Sequence, residues 1–436
     1  MIRVRPEGSA ATQIAEVKVG AQRFQSFQPR CSRSKFRPMM REDAGAFVVG
    51  PELLEKGADA GPLARTNFTA KDLYDVKGLV TGAGNPTVRD EGEPAATNAL
   101  AVQALLDAGS DLVGTTVTVE FAWSFTGRNP HDGLADNPAD PHRVPGGSSA
   151  GAAAATAAGL CDLALGTDTG GSVRVPAAYC NLFGIRPTHG RVDATGVFPL
   201  APSFDTVGWF ARTPELLRSA ADVLLTAPES KSDVARPSRV TLLTDAFALA
   251  DAEVRAGLDT LVGALADQLG GAIIEAQLTD EKTWQRWTSG FRVLQSAEAF
   301  AEHGDFYRRH GPSVLGDDVA ARFEFASRVT DTDCKAADGV RSEVLNRLEE
   351  LTEDGTCVVL MPAAPTRAPR RNRPETDTVA VQRLLRLTSI ASLAGAPSVT
   401  VPSCTTMPVG LSLVGAPGSD EMLIDLAVGA NSSLSF

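Results

Sequence analysis

Apolar residues at Val254, Leu258, Leu261, Val262, Leu265 and Leu269 recur at close to helical spacing, which predicts an amphipathic helix closed by Gly270–Gly271. Short apolar runs at 240–243 and 272–278 flank it and predict strands. The same alternation begins near residue 66. Thr97 is placed to cap a helix carrying Leu100, Leu105 and Leu106, which should stop at Gly109, and an extended apolar piece follows at 112–119. Further on, the pattern predicts a helix of very small residues at 150–159 and strands at 162–165, 357–361 and 409–414, with a helix at 379–393. Alternating strands and helices predict an α/β fold, a mixed twisted β-sheet covered by helices on both faces. A polar stretch at 227–239 could divide the chain, but strand patterns continue on both sides of it, so one interleaved domain is the expectation. Residues 1–65 carry no clear pattern and form a divergent N-terminal segment; 66–436 form the main domain.

Composition narrows the picture. The chain has 436 residues, 43% of them apolar and 22% charged, enough to bury a sizeable core. The net charge of −12 argues against nucleic-acid or anionic-membrane partners. Only eight residues are Lys against 33 Arg, and the five His stop at His310. Six Cys lack any CxxC spacing, so no metal cluster is expected, and Cys161 and Cys180 read as reduced core thiols. The N-terminus lacks a signal-peptide apolar region, and no 18-residue apolar run is free of charge. The expected location is the cytoplasm, with no cofactor, as a monomer or homodimer.

The chemistry is concentrated in Pro145–Thr188, PGGSSAGAAAATAAGLCDLALGTDTGGSVRVPAAYCNLFGIRPT. Small residues after Ser148–Ser149 allow close backbone packing. Gly170–Gly171 before Ser172 frees backbone N–H groups to converge, as an oxyanion hole requires. A serine nucleophile needs a base, and three are available. Residues 147–151 match a G-x-S-x-G elbow, but no strand precedes them and no late His follows. Ser32-x-x-Lys35 matches an SxxK pair without a downstream KTG. Lys71 follows a predicted strand and would serve if burial lowered its pKa. Each residue also has a plainer reading: Ser148 and Ser149 as helix caps, Lys71 as a solvated lysine beside Asp72 and Asp75, His142 and His189 as structural or exposed, and Arg370, Arg371 and Arg373 as a solvated basic loop.

These residues resemble the amidase signature family of Ser–Ser–Lys amide hydrolases. TAKDLYDVKGLVTGAGNP (69–86) resembles that family's catalytic-lysine segment. The stretch 116–149 resembles its approach to the first serine, and FPLAPSFDTVGWFART (198–213) resembles the strand and loop after the signature. Residues 387–403 and 408–427 resemble its C-terminal strands and closing helix. Within the family, the wording resembles the plant indole-acetamide amidases and their bacterial relatives. The resemblance implies Ser172 as nucleophile, Ser148 as bridging serine after a cis peptide bond, and Lys71 as general base. It implies an oxyanion hole from Thr169, Gly170, Gly171 and Ser172. Asp168 and Arg174 would brace that loop, Ser149 would cap the helix, and Lys77 would lie on the surface. Ala150 and Ala152 depart from the family's usual Gly and Ser.

The substrate is less legible. The family resemblance makes 227–355 the variable, pocket-shaping region. Trp284, Trp287 and Phe291 fall on one helical face, and Trp123 is a further pocket candidate. A core stripe is the first reading of that face; if it lines the cleft, the substrate is an apolar or aryl amide. A carbamate (urethane) would be attacked identically. A catalytically inactive binding scaffold would have lost a triad residue, and all three are present. A tRNA-dependent amidotransferase subunit would need partner subunits and an RNA-facing surface, which nothing in the sequence suggests.

Overall fold

The strand runs of the sequence join one mixed sheet. The computed structural model describes residues 15–17, 41–226, 237–372, 378–403 and 405–434. In chain order the strands are β1 (Ala15–Val17), β2 (Phe47–Val49), β3 (Asn67–Lys71), β4 (Asp111–Thr116), β5 (Arg128–Asn129), β6 (Gly133–Leu134) and β7 (Leu163–Thr167). They continue with β8 (Phe183–Arg186), β9 (Val207–Ala211), β10 (Arg239–Leu243), β11 (Ile273–Ala276), β12 (Cys357–Pro362), β13 (Ser398–Pro402) and β14 (Gly410–Val414). Among the described residues, twelve form one sheet in the order β1-β11-β10-β12-β14-β13-β8-β9-β7-β3-β4-β2, and β5–β6 form a separate hairpin. The site stands where parallel β3, β4 and β7 lie side by side.

The order has a seam. The strands between residues 47 and 211 fill one half of the sheet; those from 239 onward, with β1, fill the other. The halves meet at β8 and β13, antiparallel, with Val399 opposite Ile185. The stretch 227–239 therefore joins two halves of one sheet.

Burial on both faces explains why the strands read as near-continuous apolar runs. Val358 and Leu360 of β12 join one core, while Val359 and Met361 point to the other. The first core is covered by the helices Leu100–Asp107, Pro214–Leu224, Ala252–Gln268 and Asp420–Leu434. The second packs beneath Glu281–His310, Asp317–Ala326, Val340–Thr352 and Thr378–Leu393. No helix among the described residues is long and apolar enough to cross a membrane.

Two local expectations change. The helix Leu100–Asp107 starts from Ala99 without a side-chain cap, so Thr97 is not its cap. The adjacent Asn98 instead accepts from Lys77 N–H and donates to Glu55 and Gln103. The Ala-rich helix Ala150–Ala158 is packed as its composition predicts: a Cβ on Gly151 would sit 2.4 Å from the Ala46 carbonyl oxygen. Ala150 and Ala152 are fully enclosed there. Residues Ser32 and Lys35 lie outside the described residues, as does Arg373.

Candidate active site

Lys71 is the last residue of β3, and its neighbour β7 ends at Thr167. The parallel pairing brings both strand ends to one place, where α/β sheets commonly form their clefts. The Lys71 side chain has no exposed surface. Its Nζ donates to Ser148 Oγ at 2.8 Å and to Thr167 Oγ1 at 2.8 Å. Burial pulls the ammonium down to a pKa of about 7, against the opposing pull of Asp205 and Asp168. Lys77, six residues on, is exposed.

Ser148 follows a cis peptide bond from Gly147. Its carbonyl accepts from Val119 N–H at 3.1 Å and from the Thr118 hydroxyl at 3.3 Å. Ser149 occupies the cap position of the Ala150–Ala158 helix, but its side chain makes no capping bond. Its Oγ lies 3.3 Å from both the Thr167 carbonyl oxygen and the Thr167 N–H. The expected cap is therefore a clip between the first serine and the end of β7.

Ser172 is 5% exposed and lines the cleft. Its carbonyl accepts from Ser149 N–H at 3.3 Å. Among the described residues, no hydrogen bond joins its hydroxyl to Ser148. The loop that carries it is wired to Asp168. One Asp168 oxygen accepts from Gly171 N–H and Arg174 Nη2, both at 2.8 Å, and from Arg186 Nη1 at 3.3 Å. The other accepts from Val173 N–H, Arg174 N–H and Arg174 Nε. Burial alone would raise the pKa of this carboxylate, but Arg174, Arg186 and the backbone donors hold it well below the usual range. Arg174 also reaches the Thr388 carbonyl at 2.8 Å and Ser392 Oγ at 3.2 Å.

This wiring separates the four loop residues expected to supply amide donors. The Gly171 N–H is occupied by Asp168, and Gly171 does not face the cleft. Its role is steric: φ is +132°, and a Cβ there would lie 2.8 Å from Thr388 Cγ2. Thr169, Gly170 and Ser172 do face the cleft, and their N–H groups carry no hydrogen bond among the described residues. Those three are the available donors. Asp205 accepts from the Thr169 hydroxyl and from the N–H groups of Leu200 and Ala201.

The cleft has a volume of about 1540 Å³. Trp123 lines it, whereas Trp284, Trp287 and Phe291 do not. Trp284 and Trp287 are buried, their indole N–H groups donating to the Arg386 carbonyl and to Glu343. Phe291 is fully buried behind the loop, 5.0 Å from the Phe204 ring and against Gly170. The face that meets the cleft is Gln285, Thr288, Ser289, Arg292 and Ser296. The reason is amphipathicity: the aromatic stripe joins the core, leaving the polar stripe for the cleft. Arg371 bonds Asp136 and the Ala135 carbonyl, Arg370 lines the cleft, and His142 and His189 are exposed. Cys161 and Cys180 are buried, free thiols whose pKa values burial pushes up.

Sequence reasoning missed Thr167, Arg186 and Asp205. Arg186 had a signal: one arginine between Phe183-Gly184-Ile185 and Pro187 sits in an otherwise apolar strand. Such a residue is buried only with a partner, and Asp168 supplies it.

A mixed sheet whose strand ends set a buried lysine against one serine, beside a cleft lined by a second, is the layout of a serine hydrolase without a histidine. Comparison with known proteins makes the class particular: the profile of the Amidase family matches residues 50–424, and the chain belongs to that family. It is similar to Amidase 1 of Arabidopsis thaliana, 34% identical over 88% of this chain and 97% of the relative. It is also similar to the 2-amino-5-chloromuconic acid deaminase of Comamonas testosteroni, 34% identical over 96% and 92%. A crystal structure of an amidase superposes with a TM-score of 0.74 at 30% identity, covering 85% of each chain. The chain is thus an amidase-signature hydrolase acting on amides.

Proposed function

We propose that the chain cleaves the C–N bond of small amides through an acyl-enzyme on Ser172. The observation that carries this reading is the buried Lys71 amine, 2.8 Å from Ser148 Oγ and with its pKa lowered to about 7. At neutral pH much of the amine is neutral and able to accept a proton. Ser148 passes its proton to Lys71 and takes one from Ser172. Ser172 Oγ then attacks the carbonyl carbon, forming the new C–O bond while the oxygen becomes an oxyanion. Thr169, Gly170 and Ser172 offer N–H donors to that oxyanion. Ser148 protonates the nitrogen as the C–N bond breaks, and the amine leaves. Water attacks the acyl-enzyme by the same relay and restores Ser172.

The relay requires a Ser148–Ser172 contact that the resting cleft does not hold as a hydrogen bond. Catalytic hydrogen bonds commonly tighten only with substrate in place. A carbamate carbonyl is open to the same attack. The test is labelling with a fluorophosphonate, followed by peptide mass spectrometry, and turnover of a panel of anilides, primary aryl amides, esters and carbamates. An adduct on Ser172 with release of amine is the expected result. An adduct on Ser149, or none, would overturn the assignment.

A further inference from the structure

The cleft carries a charge balance unlike that of the chain. Seven arginines and five carboxylates line it, in a protein of net charge −12. Several of those arginines are neutralised in place. Arg386 is gripped by Glu281 at 2.8 and 2.7 Å, Arg322 by Asp318 at 3.2 Å, and Arg143 and Arg367 share Asp140 at 3.1 and 3.0 Å. Arg292 differs from them. It is exposed, stands on the polar face of the helix Glu281–His310, and has no ion pair among the described residues. Its guanidinium lies 5.4 Å from the centroid of the Phe325 ring, and Phe325 is itself 41% exposed on the cleft wall.

A cation–π contact keeps the guanidinium beside the ring and leaves its N–H donors for two parallel bonds to a carboxylate. Apolar side chains of Val119, Trp123 and Leu385 line the same cleft and suit a short hydrocarbon spacer. We propose that the cleft selects amides whose non-reacting end is a carboxylate, and that Arg292 holds that carboxylate. This deepens the amide-hydrolase reading above and rests on it.

The test separates recognition from chemistry. The Ser172→Ala protein is titrated by calorimetry with a series of ω-carboxylate primary amides, from succinamate to adipamate, and with the uncharged amides of matching length. At least one acid should bind roughly tenfold or more tighter than its neutral counterpart, as a charge-assisted pair allows. Arg292→Gln should abolish that preference while leaving neutral-amide binding unchanged, and Arg292→Lys should restore part of it. Raising salt to about 0.5 M should shrink it. Equal binding of acid and neutral amide, no binding by any acid of the series, or a preference that survives Arg292→Gln would overturn the proposal. So would its loss in Arg370→Gln instead, since Arg370 is the other exposed cleft arginine without an ion pair among the described residues. Fluorophosphonate labelling of Ser172 in the Arg292→Gln protein reports the hydrolase reading separately: an intact adduct with no acid preference defeats only the anion site, and a missing Ser172 adduct in the parent defeats the reaction.

Discussion

The loop Asp168–Arg174 and the helix Glu281–His310 face the same cleft, yet they are built on different terms. In the loop, one carboxylate fixes two arginines and three backbone N–H groups, and the N–H groups of Thr169, Gly170 and Ser172 are left toward the cleft. In the helix, the face toward the cleft is a stripe of polar side chains from Gln285 to Ser296, within which Arg292 makes a ring contact. The loop is rigid because breaking any bond strands a buried charge. The helix wall can change its side chains at little cost to the fold. On the proposed reading, chemistry and recognition fall to different kinds of structure.

The sharpest way to break this contrast is at the proposed nucleophile. Ser172→Ala should lower amide hydrolysis by about 10⁴-fold or more with thermal unfolding nearly unchanged. Activity within tenfold of the parent would remove the loop from the chemistry. Next is the proposed base: Lys71→Ala should cost roughly 10²–10⁴ in kcat/KM. In the parent, kcat/KM should fall as pH drops through about 7, because protonation removes the base. That acidic limb should vanish in Lys71→Ala, while exposed Lys77→Ala behaves as the parent.

Lys71 also couples to stability. Its pKa is lower folded than unfolded, so between about 7 and the usual lysine range the unfolded chain binds the extra proton. Stability relative to Lys71→Met should rise across that window by up to roughly 5 kcal/mol, measured by urea unfolding at several pH values.

Asp168→Asn tests the wiring. It leaves Arg174 and Arg186 buried without their anion and should cost about 3–5 kcal/mol. The carboxylate's pKa is lowered by folding, so its contribution is present above the ordinary carboxylate range, about pH 4, and is lost only in strong acid. The smallest effect is expected on the other wall. Phe325→Ala, at a side chain 41% exposed, should change stability by less than about 1 kcal/mol while altering KM. A loss as large as that of Asp168→Asn would end the distinction between the walls.

The same division governs what could be read from the chain. The strands and the Ala-rich helix were legible because burial imposes apolar spacing on them. Lys71 was legible through the resemblance of residues 69–86 to a catalytic-lysine segment; by itself it read as a solvated lysine beside Asp72 and Asp75. Thr167 was not: its bond to Lys71 spans 96 positions and exists only because β3 and β7 lie side by side. Ser149 resembled a cap because local rules favour that role, but the strand end competed for its hydroxyl and won. In the helix Glu281–His310 the aromatic period was visible, yet periodicity cannot say which face meets a cleft and which meets a core.

The seam between β8 and β13 has a consequence for a severed chain. A cut between β9 and β10 would leave one piece holding β1 through β9 and another holding β10 through β14. Two ladders would still bind the pieces, β8 to β13 at the centre and β1 to β11 at the rim. The bonds from Arg174 to Thr388 and Ser392 cross the same divide, so the loop Asp168–Arg174 on the first piece is braced by a helix on the second. Each fragment alone should be silent and the reassembled pair active, which makes turnover a reporter of fragment complementation.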